Sequence, residues 1–563
     1  MYFRALAADY DGTLAHHGAM EQATVDALVR LRRAGRQIIL VTGREMADLR
    51  HIVPDMTLFD RIVAENGGVL YDPVRGSEVA LAPGPPPALV QKLMEHGVEP
   101  MSAGQSIIAT WQPHEAAVLA AIAELGLDEQ IIFNKGAVMV LPAGVNKASG
   151  LVAALQDLGL SKANVVGVGD AENDLAFLVE CGASAAVANA LSSLREACDI
   201  TLMSDHGAGV RELINRLLKE DFELIPPSRR GVSLGIDADA NHIWLTPQDS
   251  LLIIGGSGSG KSRFATALVE RMINKNFSVC LLDPEGEYED LDRMVAIGDQ
   301  MQAGSIDEAS RLLSNGMSVA FGTVAITLDQ RQCLFERLLP RIETLRKTSG
   351  RPHWIIADEA HHYLPASCIP TSEIVCEPHA GLVLATITPD WLHPAVVGAM
   401  DYVMAFGSTA FDIVQKFSVE STFSKYSQPR LGPDEALLWS RVSPHGPRRL
   451  KIEGPRHHER HKGKYAIGDV GDAHSFYFGW SPDGQVYRAR NLAEFLSKAD
   501  HLPEEIWLRH LHTGDFAAWF LHVIRDDELA RRAKEIAEDA SLGAKESREQ
   551  IAVAICDRYT IAR

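Results

Sequence analysis

Two short segments of this chain hold residue types that handle phosphate groups. Near its start, Asp9-Tyr-Asp-Gly-Thr-Leu14 places two carboxylates two residues apart, followed by a glycine and a threonine. One carboxylate in such a pair can attack phosphorus, while the second protonates the leaving oxygen and later activates water. Near the middle, Gly255-Gly-Ser-Gly-Ser-Gly-Lys-Ser262 is a glycine-rich loop of the kind that cradles nucleotide phosphates. The sequence therefore predicts two separate sites of phosphate chemistry.

Four residues farther along complete the first site. Thr42 offers a hydroxyl to phosphate oxygens, and Lys147 can neutralise the charge that the nucleophile shares with the phosphate. Asp170 and Asp174 supply hard carboxylate oxygens, which Mg²⁺ prefers. A bound Mg²⁺ would screen the repulsion between Asp9 and an anionic substrate. We therefore expect a magnesium site formed by the carboxylates of Asp9, Asp11, Asp170 and Asp174.

The second site has the sequence context that a nucleotide-binding loop requires. The loop follows the apolar run Leu251–Ile254 and precedes a helical pattern over Arg263–Met272. Backbone N–H groups and the helix N-terminus can then receive the phosphates. Lys261 reaches the β- and γ-phosphate oxygens, and Ser262 holds Mg²⁺. The residues predicted to bind ATP and its Mg²⁺ are Gly255, Gly258, Gly260, Lys261, Ser262, Arg263, Asp358 and Thr386.

A second pair of carboxylates is predicted to act on the same nucleotide. Trp354-Ile-Ile-Ala-Asp-Glu359 is an apolar run that ends in two acidic residues. We expect Asp358 to support Mg²⁺ and Glu359 to orient or deprotonate a water molecule. The glutamate therefore favours hydrolysis of the nucleotide over phosphoryl transfer to a metabolite.

The first 220 residues alternate short apolar runs with amphipathic helical stretches, which is typical of a parallel sheet covered by helices. The candidate strands are Ala5–Ala8, Gln37–Val41, Arg61–Ala64 and Asn164–Val168. Motif residues follow three of these runs, so we expect them at strand carboxyl ends, where open α/β sheets bind ligands. Residues 81–134 hold no such motif and include three consecutive prolines. They are predicted to form a cap inserted into the sheet domain.

The rest of the chain is expected to form two further units. Residues 221–230 have the composition of a linker, and residues 231–452 that of a second α/β domain, beginning with a hairpin. Residues 453–464 are predicted to be a basic linker, with a polyanion contact or an inter-subunit contact as the alternative. Residues 465–563 begin with an alternating run at Ser475–Trp480 and become helical. We expect an interaction or assembly module whose aromatic residues form a core rather than a stacking surface for bases.

The order of the first-site motifs resembles the haloacid dehalogenase superfamily, in its branch of capped, Cof-type sugar-phosphate phosphatases. Ala64-Glu-Asn-Gly-Gly68 and Asn134-Lys-Gly-Ala-Val-Met-Val-Leu-Pro142 also look like that branch, and the likeness covers Met1–Lys219. It implies a Rossmann-like core with a small cap and a phosphatase that forms an aspartyl-phosphate intermediate. The roles implied are Asp9 as nucleophile, Asp11 as acid/base, Thr42 and Lys147 as phosphate ligands, Asp170 as Mg²⁺ ligand, and Asp174 as support of the metal or of Lys147.

The second-site motifs resemble the HerA/FtsK group of P-loop ATPases. Leu281-Leu-Asp-Pro-Glu-Gly-Glu-Tyr288 and Asp358-Glu-Ala-His-His-Tyr-Leu-Pro365 carry the likeness, which covers Gly231–Ile452. That group typically assembles as hexameric rings, so the resemblance implies a homo-oligomer, with a hexamer and a nucleic-acid partner as the family expectation. The group usually has Thr-Gln after the next strand, where this chain has Thr386-Ile387. The missing glutamine puts coupling of hydrolysis to a motor stroke in doubt.

Composition limits the remaining classes of function. The formal net charge of −20 argues against a surface that coats nucleic acid. The seven cysteines form no Cys-x-x-Cys pair, as expected of reduced thiols in a cytosol rather than of disulfides or a zinc site. No apolar run approaches the roughly 20 residues that span a bilayer. We therefore expect a cytoplasmic protein with no membrane partner.

Three hypotheses follow for the whole chain, whose substrate is a sugar phosphate, a nucleotide or a polynucleotide end. The first is a Mg²⁺-dependent phosphomonoester phosphatase coupled to a ring-forming ATPase. The second is a nucleic-acid-processing ATPase whose phosphatase domain acts on polynucleotide ends. The third is a metabolic phosphatase in which the P-loop domain binds nucleotide as an assembly switch. Net acidity and Ile387 favour the first and third, while the HerA/FtsK resemblance keeps the second open.

Overall fold

The structure, a computed structural model, describes most of the chain. The described residues are 1–53, 55–256, 259–286, 288, 291–299, 301–367, 380–417, 431–432, 434–441, 446–454, 465–466, 475–480, 486–524, 526–539 and 541–559. Gly258, which is predicted to bind nucleotide phosphate, lies outside the described residues. So do residues 455–464 of the predicted basic linker.

Buried apolar runs form the strands of the first domain, as the alternating pattern predicts. Three of the four predicted strands are confirmed with the same bounds, and the fourth begins and ends one residue later. The strands are β1 (Ala5–Ala8), β2 (Gln37–Val41), β3 (Arg61–Ala64), β4 (Val69–Asp72), β5 (Ser77–Ala80), β6 (Ser102–Ala103), β7 (Ile108–Trp111), β8 (Glu129–Asn134), β9 (Ala137–Pro142), β10 (Val165–Gly169), β11 (Ala183–Ala186) and β12 (Ile200–Thr201).

Eight of these strands form one sheet, with β1 near its middle. The order is β12-β11-β10-β1-β2-β3-β4-β5. The strands from β12 to β3 pair in parallel, whereas β4 and β5 are antiparallel additions at the edge. Since parallel strands end at the same side of a sheet, the residues after β1, β2 and β10 meet there. Those residues are Asp9, Thr42 and Asp170.

Amphipathic helices cover this sheet and its cap. In the first of them, Ala27, Leu28 and Leu31 are buried on one face, while the basic residues of the last turn are not. The helices of this part of the chain are α1 (Gln22–Arg33), α2 (Met46–Ile52), α3 (Pro87–Glu95), α4 (Glu115–Leu125), α5 (Lys147–Leu158), α6 (Leu175–Leu178), α7 (Ser192–Ala197), α8 (His206–Glu220) and α9 (Pro227–Arg230).

The cap is a small layer of its own, a sheet in the order β6-β7-β9-β8 packed against α3 and α4. Leu89 and Leu93 of α3 and Val118 of α4 are buried together with Ile108 and Val140 of the sheet. The cap sheet continues beyond residue 134, where the sequence boundary was set, to Pro142. The reason is that β9 pairs antiparallel with both β7 and β8, and these ladders draw residues 137–142 into the cap.

The segment 221–230, predicted as a linker, packs against the first domain. Phe222, Leu224 and Ile225 are buried, and the last two join the core of the first domain. Asp221 accepts hydrogen bonds from the backbone N–H groups of Tyr2 (2.7 Å) and Phe3 (3.1 Å). Apolar side chains therefore give these residues a packing role that their prolines and basic pair do not indicate.

A second α/β sheet begins with the predicted hairpin, which is confirmed, as is the buried strand before the glycine-rich loop. Its strands are β13 (Val232–Ile236), β14 (His242–Leu245), β15 (Leu251–Ile254), β16 (Val279–Asp283), β17 (Met294–Ile297), β18 (Ser318–Gly322), β19 (Trp354–Ala357), β20 (Leu382–Thr386), β21 (Tyr402–Ala405), β22 (Glu435–Ser440) and β23 (Arg448–Lys451). The helices are α10 (Lys261–Asn274), α11 (Ile306–Ser314), α12 (Leu328–Ser349), α13 (Pro394–Ala399) and α14 (Ala410–Gln415).

The order of this eleven-stranded sheet is β14-β13-β23-β22-β21-β15-β20-β19-β16-β18-β17. The strands from β21 to β17 run parallel, and the first four are antiparallel. The loop after β15 therefore lies at the same end of the sheet as the residues that follow β19 and β20.

The last module has an aromatic core, which confirms the sequence expectation. The ring of Phe495 stacks on Trp519 at 5.5 Å and meets Phe516 edge-on at 5.2 Å, and all three residues are buried. The elements are β24 (Phe476–Trp480), β25 (Val486–Ala489), α15 (Leu492–Ala499), α16 (Glu504–His512), α17 (Asp515–His522), α18 (Asp527–Glu538) and α19 (Ala544–Cys556).

Among the helices of the described residues, none combines the length with the apolar content that crossing a lipid bilayer requires.

Truncating the centre of this aromatic core should destabilise the last module specifically. We expect Phe495→Ala to lower its free energy of unfolding by roughly 3–5 kcal/mol, because a buried ring is lost and a cavity remains. Hydrogen exchange of the full chain, followed in α15 to α17, measures the change. Leu521→Ala, at a side chain that is 41% exposed in the same module, is the matched control. Equal losses in the two variants would contradict an aromatic core.

Candidate active sites

Lys147 is the buried cation around which the first site is assembled. It is the first residue of α5, and the capping box of Asn146 and Ser149 fixes the start of that helix. The Lys147 Nζ lies 2.6 Å from Asp9 Oδ1 and 2.6 Å from Asp174 Oδ1, and the residue is only 1% exposed. Because a buried ammonium is costly without such partners, the lysine and the two carboxylates hold one another in place.

Asp170 completes a group of three buried carboxylates. Its backbone N–H and that of Ala171 donate to Asp174 Oδ2 at 2.8 and 2.9 Å, and its own Oδ1 accepts from the Thr13 hydroxyl at 3.0 Å. One carboxylate oxygen from each of Asp9, Asp170 and Asp174 lies within 4.8 Å of the others. These residues of the first sequence motif and the last one thus converge on one point.

The charges of this group fit a divalent cation. Burial, with Asp174 nearby, raises the pKa of Asp9, and burial also raises the pKa of Asp170. Burial opposes the charge on Lys147, but Asp174 and Asp9 outweigh it and raise the lysine pKa. One buried ammonium cannot neutralise three carboxylates. Hard oxygen ligands with excess negative charge suit Mg²⁺, so the donor set fits the predicted metal.

Asp11 stands apart from this group. Its carboxylate pairs with Arg44, with Nε 2.6 Å from Oδ2 and Nη2 2.8 Å from Oδ1. These hydrogen bonds raise the pKa of the Arg44 guanidinium. Gly12 follows with a φ of +88°, a backbone conformation that glycine allows at no steric cost. Of the four carboxylates predicted to bind Mg²⁺, the structure brings three together and turns that of Asp11 toward Arg44.

Thr42 lies buried at the end of β2, the neighbour of β1. Its hydroxyl accepts the backbone N–H of Arg44 at 3.2 Å, and its carbonyl accepts that of Asn66 at 3.0 Å. The residue therefore stands at the same sheet edge as Asp9, where the sequence placed it.

Two charged residues of the site were absent from the sequence prediction. Glu65 accepts the backbone N–H groups of Gln105 (3.1 Å) and Ser106 (2.7 Å), which ties the core domain to the cap. Lys135 extends from the cap, and its Nζ pairs with Asp170 Oδ2. Both residues lie in segments that carry the family likeness. A charged side chain one or two residues before a glycine in those segments is the signal that identifies them.

The second site depends on glycines at two points of its loop. A Cβ at Gly255 would overlap Ser259 and lie 2.9 Å from Phe406, so a side chain cannot be accommodated there. Gly260 has a φ of 96° and directly precedes α10, whose first residue is Lys261. The loop thus turns into the helix N-terminus as the predicted phosphate site requires. Ser262 is the second residue of the same helix.

The predicted catalytic residues of the second site lie beside one another. Lys261 Nζ is 2.5 Å from Glu359 Oε1 and 3.9 Å from Asp358 Oδ1. The Tyr288 hydroxyl donates to Asp358 Oδ2 at 3.0 Å. Glu359 adopts a φ of 43°, a backbone conformation that costs free energy in a residue other than glycine. The turn after β19 therefore directs both carboxylates toward the phosphate loop.

Thr386, at the end of β20, contacts a histidine that also lies beside Glu359. Its hydroxyl lies 3.2 Å from His361 Nδ1, and that nitrogen is 3.5 Å from Glu359 Oε2. Burial lowers the pKa of His361, which favours a neutral ring. Arg263 differs from the prediction that it binds nucleotide, because its guanidinium extends to Asp434 at 3.0 Å and its side chain is largely exposed.

The first site and the phosphate loop of the second site lie within segments that match known families, whereas Asp358 and Glu359 lie beyond the second match. Residues 6–99 and 112–214 match the family of haloacid dehalogenase-like hydrolases. Residues 243–353 match the family described as the central domain of helicase HerA. The first match contains the three carboxylates and Lys147, and the second contains the phosphate loop.

Several relatives align with this chain over a length close to that of the first matched segment. Phosphoglycolate phosphatases from Methanothermobacter thermautotrophicus and Aeropyrum pernix are each 30% identical to the chain, over 224 and 234 residues. Each alignment covers 38% of this chain, and 99% and 93% of the two relatives. A solved haloacid dehalogenase-like hydrolase from Bacteroides thetaiotaomicron is 18% identical to this chain, with a TM-score of 0.34. The alignment covers 38% of this chain and 99% of the solved chain.

A family match that contains the assembled carboxylates, and a relative that is 30% identical along 99% of its length, identify the chain as an enzyme. It belongs to the haloacid dehalogenase-like hydrolases of phosphatase type, and it carries a HerA-type ATPase domain in the same polypeptide.

Proposed function

We propose that this enzyme is a Mg²⁺-dependent phosphomonoester phosphatase whose activity is coupled to nucleotide turnover in a ring-forming ATPase domain. The buried group of Lys147 with Asp9, Asp170 and Asp174 is the observation that carries the phosphatase assignment. The relatives named phosphoglycolate phosphatases support a small phosphorylated hydroxy acid as substrate. Two phosphate-handling sites in one chain support the coupling.

The phosphatase reaction uses Asp9 and Asp11 in turn. Lys147 holds Oδ1 of Asp9, so Oδ2 is the oxygen that attacks phosphorus and forms the aspartyl-phosphate. The departing ester oxygen takes a proton from Asp11, which then accepts one from the water that cleaves the aspartyl-phosphate and releases inorganic phosphate. Mg²⁺, held by Asp9 and Asp170 with support from Asp174, would offset the charge of the phosphate. Arg44 donates to both oxygens of the Asp11 carboxylate, so this pair must separate before Asp11 carries the proton.

The ATPase reaction would use the residues around the phosphate loop. Lys261 would contact the phosphates, Ser262 and Asp358 would hold the Mg²⁺ of the nucleotide, and Glu359 would orient the attacking water. His361 Nδ1 lies 3.2 Å from the Thr386 hydroxyl and 3.5 Å from Glu359 Oε2, so this side chain stands beside the carboxylate that is proposed to orient the water.

Direct contacts join the two domains on the side away from both sites. Arg4, the residue before β1, donates to the carbonyl oxygens of Lys347 (2.7 Å) and Arg346 (2.8 Å) at the end of α12. Arg351 donates in the opposite direction, to the carbonyl oxygen of Leu160 at 2.6 Å. Guanidinium groups bonded to carbonyl oxygens in both directions fix the two domains in a specific arrangement.

The same interface connects strands that carry catalytic residues. His353 immediately precedes β19, and its Nε2 lies 3.4 Å from the hydroxyl of Ser161, in the turn that leads into β10. Burial lowers the pKa of His353 to about 3, so the ring is neutral. Gly350 packs so closely on Asn164 that a Cβ there would overlap the amide. A change at Asp358 can therefore reach Asp170 through two short strands.

A nucleic-acid-processing enzyme is the second candidate, because the matched family is named for a helicase. In that case an oligonucleotide should bind the chain with an affinity that falls steeply as salt rises, since phosphate contacts release counterions. Fluorescence anisotropy at several salt concentrations measures this. Absent or salt-insensitive binding would exclude the candidate.

One substitution in each site should abolish the activity of that site and leave the activity of the other. Asp9→Asn should lower phosphatase turnover by on the order of 10⁴-fold, because the nucleophile is lost, and should leave ATP hydrolysis intact. Lys261→Ala should abolish ATP hydrolysis while the phosphatase still acts in the absence of nucleotide. Phosphate release from 2-phosphoglycolate and from ATP gives both rates. Full phosphatase activity in Asp9→Asn would refute the assignment.

The predicted metal should depend on Asp170. Asp170→Asn keeps the shape of the side chain but removes a charge, so we expect the Mg²⁺ dissociation constant to rise by at least the roughly 10–100-fold that loss of an outer-shell partner of a metal ligand causes. Isothermal calorimetry measures binding, and a chelator should remove phosphatase activity from the wild type. Asp157→Asn, at an exposed carboxylate that pairs with Arg61, is the matched control. Unchanged binding in Asp170→Asn would contradict the metal site.

We expect the contacts between the two domains to transmit the effect of nucleotide binding to the phosphatase site. Coupling between sites typically changes affinity or activity by roughly 5–150-fold, and we expect Arg4→Ala and Arg351→Ala to reduce whatever change ATP causes in the wild type. The phosphatase rate is measured with and without ATP in each variant. Arg75→Ala, at a first-domain arginine whose side chain is 72% exposed, is the control. A full ATP effect in both interface variants would contradict this route.

A further inference from the structure

Lys135 occupies the turn of a tight hairpin in the cap. Asn134 of β8 pairs with Ala137 of β9, so only Lys135 and Gly136 form the turn. Their φ values are 48° and 88°, as a two-residue turn of type I′ requires. Asparagine, aspartate and glycine are favoured at such positions, and lysine is not. The turn itself therefore gives no reason for a lysine.

The side chain of Lys135 connects the cap with the floor of the phosphatase site. Its ammonium pairs with Oδ2 of Asp170, a fully buried residue, while half of the lysine side chain remains exposed. A Cβ added to Gly12 would lie 2.7 Å from Lys135 Nζ, so the ammonium lies over the loop that follows Asp9. The cap thus delivers a positive charge to the place where substrate must enter.

Two other cations contact carboxylates of this site within the described residues, and both have fixed partners. Lys147 is buried between Asp9 and Asp174, where it meets the phosphate that is transferred. Arg44 holds both oxygens of Asp11. Lys135 differs from them because it comes from the cap and is half exposed. It is the cation placed to meet a part of the substrate other than the phosphate.

The charges of a bound substrate require such a cation. A phosphomonoester carries nearly two negative charges near neutral pH, which Mg²⁺ and Lys147 can offset. A carboxylate next to the ester carbon adds another negative charge close to the metal. Mg²⁺ bound at Asp170 would compete with Lys135 for Oδ2, and the displaced ammonium would remain within reach of that carboxylate.

We infer that Lys135 is the specificity-determining residue that binds the carboxylate of a small phosphorylated acid. The inference rests on the proposed phosphatase function of Asp9. A role as a latch that only holds the cap against Asp170 is the alternative outcome of the test.

Two esters that differ only in charge distinguish these roles. In Lys135→Met, kcat/KM for 2-phosphoglycolate should fall roughly 10–150-fold, mainly through KM, because a hydrogen bond to a charged group is lost. The phosphate ester of glycolamide, whose amide is neutral, should be hydrolysed as well as by the wild type. Lys135→Arg should retain part of the preference. Lys92→Met removes a cap lysine that pairs with Glu124 instead, and should leave both rates unchanged.

Mg²⁺ binding provides a readout that does not depend on activity. Calorimetry without substrate should show that Lys135→Met binds Mg²⁺ at least as tightly as the wild type, because a competitor at Asp170 is removed. Lys135→Asn, which suits the type I′ turn, should behave like Lys135→Met and excludes misfolding of the hairpin as the cause.

The remaining outcomes overturn the inference in different ways. Equal losses on both esters, or weaker Mg²⁺ binding, would show that Lys135 supports the core of the site and does not read the carboxylate. A wild type that hydrolyses both esters equally well, with no change in Lys135→Met, would also refute it. A wild type that hydrolyses no phosphomonoester at all would overturn the proposed function itself.

Discussion

The phosphatase domain depends on one buried ion pair, in which Lys147 holds Asp9 and Asp174. Without the lysine, three buried carboxylates within 4.8 Å of one another would repel one another strongly. The lysine reaches this position because α5 approaches the sheet closely. A Cβ at Gly67 would overlap the backbone of Asn146, just before the helix, and a Cβ at Gly150 would overlap Val63 of β3. Two glycines therefore allow the helix to lie this close to the sheet, and the helix places Lys147 between Asp9 and Asp174.

Sequence could predict the residues that follow parallel strands, because strand periodicity and the rule of strand ends fix their location together. Asp9, Thr42 and Asp170 are of this kind, and so are Lys261 and Asp358 in the second domain. The sequence could not predict which side chains of different elements pair with one another. Asp11 and Arg44 follow β1 and β2 of the sheet domain, and their pairing depends on the conformation of those two loops. The reach of Lys135 to Asp170 depends on how the cap sits on the sheet. The end of the cap escaped prediction because β9 pairs with strands on both sides, which no local pattern specifies.

The second site departs from the resembling group at one position. Ile387 stands where the resembling group has a glutamine, and it cannot bond to phosphate. The structure places His361 Nδ1 3.2 Å from the Thr386 hydroxyl and 3.5 Å from Glu359 Oε2, so a polar side chain stands between the end of β20 and that carboxylate. Both contacts use the same ring nitrogen, and burial lowers the pKa of His361, which favours the neutral ring.

The two domains meet at the amino ends of their parallel strands, opposite the ends that carry the phosphate motifs. Both sheets use the carboxyl ends of their strands for phosphate chemistry, which leaves the amino ends free to make contacts. Arg4 and Asn164 stand at the amino ends of β1 and β10, and His353 at that of β19. Asp9, Asp170 and Asp358 are thus each one strand of four or five residues away from the interface. The interface therefore joins the amino ends of the strands whose carboxyl ends carry Asp9, Asp170 and Asp358.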